Sequence, residues 1–498
     1  MTDASLSAKI SANQNWLVPL TLLFCVFASR FPVLNDFMVG TDGAWFIYVG
    51  GQILHGYWPY VDLWDRKPVG LFLLYAPFSL LGSWQFWGCL LGTDLFTFLT
   101  GMLIYKIGCN FATALGGFLC ALLYLFLSNC LTAFTGIEAI FYNLFVLSAF
   151  ALVLLRFEKL QTDSSLLFKT GLQAMAIFGF TIELKPTVAF EGIYLACFLL
   201  SLCWLQEKSI KKLLLNSALW IFLALLPTLM IAGIYALHGH WQAWFYANLV
   251  SFFQKQGFSA HAPQSLRLYL FIFFFSGGLL LSLKGLKERK IARNYLYFIT
   301  GWFLIPLFMA SAIGEYAAVT LPILLPFCLS FIFLFPIGKK EKAFFLCLLL
   351  LAFGGSIIKV AQIWMPLDQY LLYKKSVQTL RQDPDCLFIY GGEEIQNITK
   401  QSANCHLTRY PYPSHLGEAK EQKALGISDT NAELAAILQK RPKWIFIGIP
   451  IVKTDTNLPK NLLLQHKFIQ KELTMHYRVV QTTDTLSSDG IGLYRRID

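Results

Sequence analysis

Long apolar stretches recur along the first three quarters of the chain and are separated by short polar segments. The apolar core of a bilayer is crossed by about 20 residues of helix. A further apolar segment, 69–83, is short and contains Pro77, so its length leaves it undecided. The pattern otherwise predicts eleven membrane-spanning helices, near residues 16–34, 86–105, 111–130, 139–156, 168–184, 187–205, 213–237, 266–283, 294–312, 317–337 and 343–365.

The distribution of basic residues decides how the undecided segment is placed. If 69–83 does not cross the membrane, the loops on one side carry 16 Lys and Arg residues and those on the other carry five. Basic residues concentrate in cytoplasmic loops. The imbalance therefore predicts a re-entrant or membrane-surface helix at 69–83. It also predicts a multi-pass inner (plasma) membrane protein with a cytoplasmic N-terminus and a periplasmic C-terminal domain.

The pattern changes after residue 366, where short apolar runs alternate with polar sequence. This alternation is typical of a small α/β domain. The predicted fold class is thus an α-helical polytopic membrane protein with about 11 transmembrane helices and a C-terminal extracytoplasmic α/β domain. The predicted domains are 1–366 and 367–498. The predicted strands are 386–392, 443–449, 477–483 and 491–497, with a helix at NAELAAILQK between the first two.

Composition supports a membrane protein and narrows its partners. Hydrophobic residues make up 56% of the chain and charged residues 14%, against about 25% charged in soluble proteins. This excludes an ordinary soluble enzyme, a disordered scaffold and a collagen-like fibre. The net charge of +11 is explained by the basic residues of the cytoplasmic loops, which set the topology of a membrane protein. Because no basic stripe is interleaved with aromatic residues, the expected partners include membrane lipids but no nucleic acid.

Two of the 11 cysteines, Cys386 and Cys405, lie in polar sequence within the predicted outer domain. Disulfides form in oxidising compartments. From the sequence alone, these two cysteines either form a disulfide or remain free thiols.

The first predicted outer loop, 35–83, is unusually rich in charged residues. Its segment AWFIYVGGQIL has helical apolar spacing and predicts a helix along the membrane interface. Asp42 stands at the start of that helix, where a carboxylate either caps the helix or performs chemistry. The loop's other charged residues are Asp36, Asp62, Asp65, Arg66 and Lys67.

Further charged residues fall at the predicted outer ends of later spans. Glu138 lies at the end of the fourth span, and Lys185 at the turn between the fifth and sixth. Charged side chains at membrane depth are costly and usually face a polar cavity. Arg30 and Asp94 lie deeper and form either a buried pair or a functional one. Other acids near outer ends are Glu183, Glu191 and Glu315.

Carboxylates and cations at one membrane face suit transfer of a group from a lipid phosphate. A carboxylate can take a proton from an acceptor hydroxyl as a general base. Lys or Arg can neutralise the phosphate that leaves.

Three segments carry a resemblance to a known family. The string TDGAWFIYVGGQILHGYWPYVDLWDRKPVG resembles the first outer loop of the GT-C glycosyltransferases, in particular those related to protein O-mannosyltransferases and the lipid A aminoarabinose transferase. The segment GIEAIFYNLFVLSAFAL is similar to their second acidic motif, and GFTIELKPTVAF to their Lys-Pro turn. One departure is Gly43, where many relatives have Glu after the catalytic Asp.

The resemblance implies a role for each matching residue. Asp42 would activate the acceptor, and Glu138 would be a second acid that assists catalysis or holds the acceptor or a metal. Lys67, with Arg66, would bind the donor phosphate, and Lys185 would be a second phosphate ligand. The residues expected to support this site are Asp65, Asp62, Tyr60 and Tyr48.

The activity implied by the resemblance is an inverting sugar transfer at the outer face of the inner membrane. The donor would be a polyprenyl-phosphate sugar, and the acceptor a lipid, a glycan or a protein. Metal dependence varies among proteins of this fold, so a divalent metal is left open. Because the outer histidines lack ligand spacing, no cofactor or metal is expected to be obligatory. The alternatives are a transporter or flippase of lipid-linked sugars, and a scaffold protein. Transporters tend to show paired repeats and Gly/Pro-broken spans with charges near the middle of the membrane. Here the charges lie at one outer face, and no repeat between the two halves is evident.

Overall fold

The computed structural model describes residues 16–33, 41–131, 135–254, 266–285, 290–313, 316–332, 334, 338–362, 367–391, 405, 407–449, 451, 459–482 and 491–497. The chain divides into two compact units. The first unit comprises Met1–Asn35, Trp87–Met230 and Ser259–Ala361. The second unit comprises Asp36–Phe86, Ile231–Phe258 and Gln362–Asp498. The second unit therefore contains both the first loop and the C-terminal domain.

Each predicted span falls on an observed helix. These helices are Leu17–Arg30, Gln85–Phe111, Ala114–Cys130, Glu138–Leu154, Ser164–Ile182, Ala189–Glu207, Ile210–Leu237, Leu266–Gly285, Lys290–Ile313, Tyr316–Ser330 and Lys339–Ala361.

Within the described residues, five helical segments are long and apolar enough to cross a membrane. Shorter apolar helices accompany them, and the count of eleven spans stays a prediction. The five segments are Gly82–Phe111, Ser164–Ile182, Pro186–Glu207, Ile210–Leu237 and Lys339–Ala361.

Small residues allow the helices of the first unit to approach closely. A Cβ added to Gly108 would lie 2.3 Å from the Cα of Gly117 on the next helix. A Cβ on Gly171 would lie 2.1 Å from the Trp220 ring, so the indole occupies the space above this glycine. Close backbone approach at small residues is how membrane helices gain packing energy, since lipid supplies little hydrophobic driving force between them.

The first loop folds into two helices, Thr41–Leu54 and Val69–Ser79. They pack closely at Gly50, where an added Cβ would lie 2.8 Å from backbone atoms of Ala76. The segment AWFIYVGGQIL is thus helical, as predicted, and its position along the membrane interface stays a prediction. The segment 69–83 is also helical over most of its length, and its placement in or on the membrane stays a prediction.

The C-terminal domain contains a four-stranded sheet in the order β1-β2-β4-β3. The strands are β1 (Leu387–Tyr390), β2 (Trp444–Ile447), β3 (Tyr477–Thr482) and β4 (Gly492–Arg496). Strands β1 and β2 are parallel, and the other two pairs are antiparallel. The associated helices are Leu367–Gln382, Thr430–Gln439 and Lys460–His476. The predicted strands and the helix between the first two are therefore present.

Successive side chains of a strand point to opposite faces of the sheet, and in β1 and β2 the side chains on both faces are buried. Leu387 and Ile389 of β1 pack with Tyr373 and Val377 of the Leu367–Gln382 helix. The opposite face meets residues of the other two helices and of the first loop. Cys386 and Cys405 are joined by a disulfide, which resolves the alternative left open by the sequence.

Candidate functional site

Asp65, Arg66 and Lys67 form a charged turn in the first loop, and Asp65 holds this turn together. One carboxylate oxygen, Oδ1, accepts hydrogen bonds from the backbone N–H of Arg66 at 2.6 Å and of Lys67 at 3.0 Å. The other, Oδ2, accepts from the indole N–H of Trp45 on the Thr41–Leu54 helix. Because Asp65 is 3% exposed, its removal would leave buried donors unpaired. The predicted supporting residue is thus part of the loop's framework.

The carboxyl group of Asp65 stays ionised despite its burial. Burial would raise its pKa, but the charge of Lys67 and the Trp45 hydrogen bond outweigh this effect and hold the pKa below its usual value. A carboxylate that accepts several hydrogen bonds favours its charged form. Asp65 therefore supplies a fixed negative charge beside two cations.

Lys67 is held next to this carboxylate and over an aromatic ring. Its Nζ lies 3.6 Å from Oδ1 of Asp65 and 5.0 Å from the centroid of Phe46. The side chain is 29% exposed. A cation over a ring face is attracted by the ring quadrupole. The arrangement orients the ammonium group and leaves part of it accessible to an anion.

Asp42 lies in the first turn of the Thr41–Leu54 helix and is partly buried. Residues three apart share a helix face, so Asp42 lies on the face that carries Trp45. Tyr48 stacks on the Trp45 ring at 5.5 Å between centroids. Burial raises the pKa of Tyr48 to about 12, so its phenol stays protonated. Trp45 thereby connects the helix that bears Asp42 to Asp65.

Tyr60 and Asp62 shape the turn that leads into this site. The Tyr60 hydroxyl donates to the carbonyl of Lys67 at 2.7 Å, and its backbone adopts a positive φ of 69°. Asp62 accepts a hydrogen bond from the backbone N–H of Trp58 at 2.7 Å. Both side chains therefore bind backbone groups of the loop. The supporting roles of Tyr48, Tyr60 and Asp62 in a reaction stay predictions.

A segment of the C-terminal domain contacts the first loop within the second unit. The backbone N–H of Trp64 donates to the backbone carbonyl of Arg409 at 2.7 Å. Arg66 Nη2 lies 2.5 Å from Glu421 Oε2. The rings of Tyr412 and His415 contact Trp45, with centroid distances of 5.1 and 6.2 Å. Residues 409–421 thus form one wall of the charged turn.

His415 lies buried in this wall, with 6% of its surface exposed. Burial lowers its pKa to about 4, although Asp65 and Glu421 act in the opposite direction. Arg66 and Lys67 lower the pKa further. The imidazole is therefore neutral near pH 7.

We expect His415 to make the protein less stable as the pH falls from about 6.5 to about 4. The unfolded chain takes up a proton near the ordinary pKa of 6.5, while the folded chain takes it up only near 4, so folding loses about 3 kcal/mol across this window. The measurement is the thermal midpoint of unfolding at pH 7.5 and pH 5. His415→Gln should lose part of this dependence, and the same change at the exposed His55 should keep it. Equal pH dependence in both variants would contradict the prediction.

In the first unit, Glu138 and Lys185 form an ion pair. Lys185 Nζ lies 3.0 Å from Glu138 Oε1, with 16% of the lysine and 4% of the glutamate side chain exposed. Glu138 begins the Glu138–Leu154 helix, where the positive end of the helix dipole favours a carboxylate. Lys185 lies just after the Ser164–Ile182 helix and is followed by Pro186, which restricts the turn. The structure therefore joins two of the predicted site residues into one pair.

Arg30 and Asp94 also form a buried pair in the first unit, at 3.1 Å. Arg30 donates further to Asn129 at 2.9 Å and to Thr97 at 2.9 Å. These contacts fit the interpretation of Arg30 and Asp94 as a buried pair that joins helices. Asp36 and Glu315, also considered from the sequence, lie outside the described residues.

Comparison with known proteins addresses the fold. No protein-family model matches the sequence, and no curated protein matches it. ArnT from Cupriavidus metallidurans, bound to undecaprenyl phosphate, aligns with a TM-score of 0.52 at 12% identity, over 91% of this chain and 84% of that chain. The archaeal oligosaccharyltransferase AglB from Archaeoglobus fulgidus, in complex with an inhibitory peptide and a dolichol-phosphate, aligns with a TM-score of 0.51 at 12% identity, over 89% of this chain and 70% of that chain.

The chain has the fold of the GT-C glycosyltransferases. The fold expected from the first-loop motif is therefore confirmed, as is a helical membrane protein with a small C-terminal α/β domain. Similarity of fold at 12% identity does not show the functions of individual residues.

Among the described residues, no three His, Cys, Asp or Glu side chains lie close enough together to hold a metal ion. A further structure of the A. fulgidus oligosaccharyltransferase, with a TM-score of 0.49, is a complex with Zn and sulfate. That no metal is obligatory stays a prediction.

Sequence reasoning missed the contribution of the C-terminal domain to the charged turn of the first loop. Arg409, His415 and Glu421 lie about 350 residues from the first loop, and the spacing of residues near them resembles no motif considered above. One weak signal was available. The segment RYPYPSH combines aromatic, basic and imidazole side chains in a domain that is otherwise built from strands and amphipathic helices.

Proposed function

We propose that the protein is an integral membrane glycosyltransferase that moves a sugar from a polyprenyl-phosphate donor to an acceptor at the outer face of the inner membrane. The observation that carries this proposal is the framework around Asp65. Asp65 binds the backbone N–H of Lys67, which positions the side chain of this lysine. Through Trp45, Asp65 also binds the helix that carries Asp42 in its first turn. The solved ArnT and AglB structures of similar fold contain undecaprenyl phosphate and dolichol-phosphate, which supports a lipid phosphate as the group bound here.

In the proposed reaction, Asp42 takes the proton of an acceptor hydroxyl as a general base. The acceptor oxygen then attacks the anomeric carbon from the face opposite the phosphate, and the bond from that carbon to the phosphate oxygen breaks. The electron pair leaves with the polyprenyl phosphate, so the sugar is transferred with inversion. Lys67 and Arg66 stabilise the charge on the phosphate. The roles of Lys185 as a second phosphate ligand and of Glu138 as a second acid stay predictions from the sequence.

The proposed arrangement in the membrane follows the sequence. Residues 1–366 form the membrane domain with the first loop at 35–83, and residues 367–498 form the α/β domain. The N-terminus is placed in the cytoplasm and the α/β domain in the periplasm. The acceptor is a lipid, a glycan or a protein.

The test is sugar transfer by the purified full-length protein in liposomes. A panel of labelled undecaprenyl-phosphate sugars is supplied with a membrane extract as the source of acceptor. We expect one donor to be consumed, with the label appearing in a new product and undecaprenyl phosphate released in equal amount. If instead every donor binds and stays intact, and the labelled lipid exchanges between leaflets, the protein is a transporter of lipid-linked sugars and the proposal is wrong.

A further inference from the structure

Two neighbouring cations in the charged turn each face a carboxylate. Lys67 Nζ lies 3.6 Å from Asp65 Oδ1, and Arg66 Nη2 lies 2.5 Å from Glu421 Oε2. The first carboxylate belongs to the same loop, and the second belongs to the C-terminal domain. The two ion pairs therefore differ in what would happen if an anionic ligand entered the site.

Asp65 cannot leave its cation without unfolding the loop. Its oxygens bind the backbone N–H groups of Arg66 and Lys67 and the indole of Trp45. Its separation of 3.6 Å from Lys67 Nζ is also longer than a hydrogen bond. Asp65 thus sets the position of the lysine without forming a direct hydrogen bond to its ammonium group.

The contact between Arg66 and Glu421 is different because it joins two side-chain ends. Glu421 lies on the short helix Ala419–Gln422, and the neighbouring Gln422 donates to the carbonyl of Leu416 at 2.7 Å. The carboxylate is therefore attached to an anchored segment. The Arg66 side chain is 22% exposed, so its guanidinium group can rotate about the long side chain while the loop backbone stays in place.

A phosphate would compete effectively with Glu421 for this guanidinium group. The pair is largely buried, with 22% of the Arg66 side chain and 11% of the Glu421 side chain exposed, so the phosphate must offset the cost of parting the carboxylate from this cation. The planar guanidinium group matches the oxygens of a phosphate through two parallel hydrogen bonds. A phosphate monoester also carries more negative charge than one carboxylate.

We propose that Glu421 holds Arg66 away from the lipid phosphate until the phosphate itself displaces the carboxylate. Binding of a polyprenyl phosphate beside Lys67 draws Arg66 from Glu421 to the phosphate, and the C-terminal domain thereby competes with the lipid for one of its ligands. This inference rests on the proposed function, because it requires that the first loop binds a lipid-linked phosphate. Glu421 acts here as a positioning residue that works through Arg66.

The test is the affinity of the full-length protein in detergent for undecaprenyl phosphate. Glu421→Gln should bind undecaprenyl phosphate about fivefold more tightly than the unaltered protein, because the competing charge is removed. Glu421→Asp keeps the charge and should stay closer to the unaltered affinity. The matched control is Glu418→Gln, an exposed glutamate three residues earlier in the same segment, which should change nothing. Undecaprenol, which lacks the phosphate, should not distinguish the variants.

A double-mutant cycle separates exchange of the ion pair from a general change of charge. Arg66→Ala should weaken the binding of undecaprenyl phosphate more strongly in the Glu421→Gln background than in the unaltered protein. In the unaltered protein Arg66 must give up its ion pair with Glu421 to bind the phosphate, so it contributes less to the affinity. An unchanged or weaker affinity of the folded Glu421→Gln protein would overturn the exchange. Equal effects of Arg66→Ala in both backgrounds would also overturn it. Failure of every form to bind undecaprenyl phosphate would instead contradict the proposed function.

Discussion

Asp42→Asn is expected to reduce sugar transfer by roughly a hundredfold to ten-thousandfold, which is the usual contribution of a general base. Asparagine has nearly the same shape but cannot take the proton of an acceptor hydroxyl. It also remains acceptable in the first turn of the Thr41–Leu54 helix, where polar side chains satisfy backbone N–H groups. The change should therefore remove chemistry without removing the helix. The measurement is the initial rate of product formation in liposomes.

The matched control for this prediction is Asp163→Asn. The Asp163 side chain accepts a hydrogen bond from the backbone N–H of Leu166 at 2.9 Å and caps the Ser164–Ile182 helix. Asparagine caps a helix about as well as aspartate, so this variant should keep both stability and transfer. Binding of undecaprenyl phosphate should persist in Asp42→Asn, since Lys67 is unchanged. Normal transfer by Asp42→Asn would exclude Asp42 as the base.

Lys185→Met should lower the free energy of unfolding by about 3–5 kcal/mol, because breaking a buried ion pair leaves an unpaired charge. Glu138, with 4% of its side chain exposed, would lose the ammonium group that lies 3.0 Å away. The measurement is the thermal midpoint of the purified protein in detergent near neutral pH. A midpoint equal to that of the unaltered protein would show that the pair contributes little to folding.

The double variant Glu138→Gln with Lys185→Met separates folding from function. Both charges are removed together, so most of the lost stability should return. Sugar transfer should nevertheless stay low, because the proposed second acid and the second phosphate ligand are both absent. Recovery of both stability and transfer would assign a structural role to this pair and would remove both residues from the proposed mechanism.

The elements of the site that depend on local sequence could be predicted. Asp42 precedes a run with the apolar spacing of a helix, and the helix indeed covers Thr41–Leu54. The strands and the disulfide-bearing domain were also predictable in outline, because alternating apolar residues report directly which side chains face a core. The GT-C fold followed from a short motif even though the solved structures of this fold are 12% identical to the chain.

The parts that depend on distant contacts could not be predicted. The sheet order β1-β2-β4-β3 is not sequential, and strand spacing alone does not determine which strands become neighbours. The ion pair between Arg66 and Glu421 joins residues 355 positions apart. No periodicity indicates that two such side chains meet. Burial of His415 depends on the same long-range packing, so its low pKa had no signal in the sequence.

The disulfide between Cys386 and Cys405 has a consequence for the maturation of the protein. It closes a loop across a separation of 19 residues, which restricts the unfolded chain by about 3 kcal/mol. Cys405 lies four positions before Arg409, whose carbonyl accepts the Trp64 N–H. The wall behind the charged turn is therefore linked covalently to the residue that precedes β1. Disulfides form in oxidising compartments. With the α/β domain in the periplasm, as proposed, this link would form only after export, and export would precede completion of the wall.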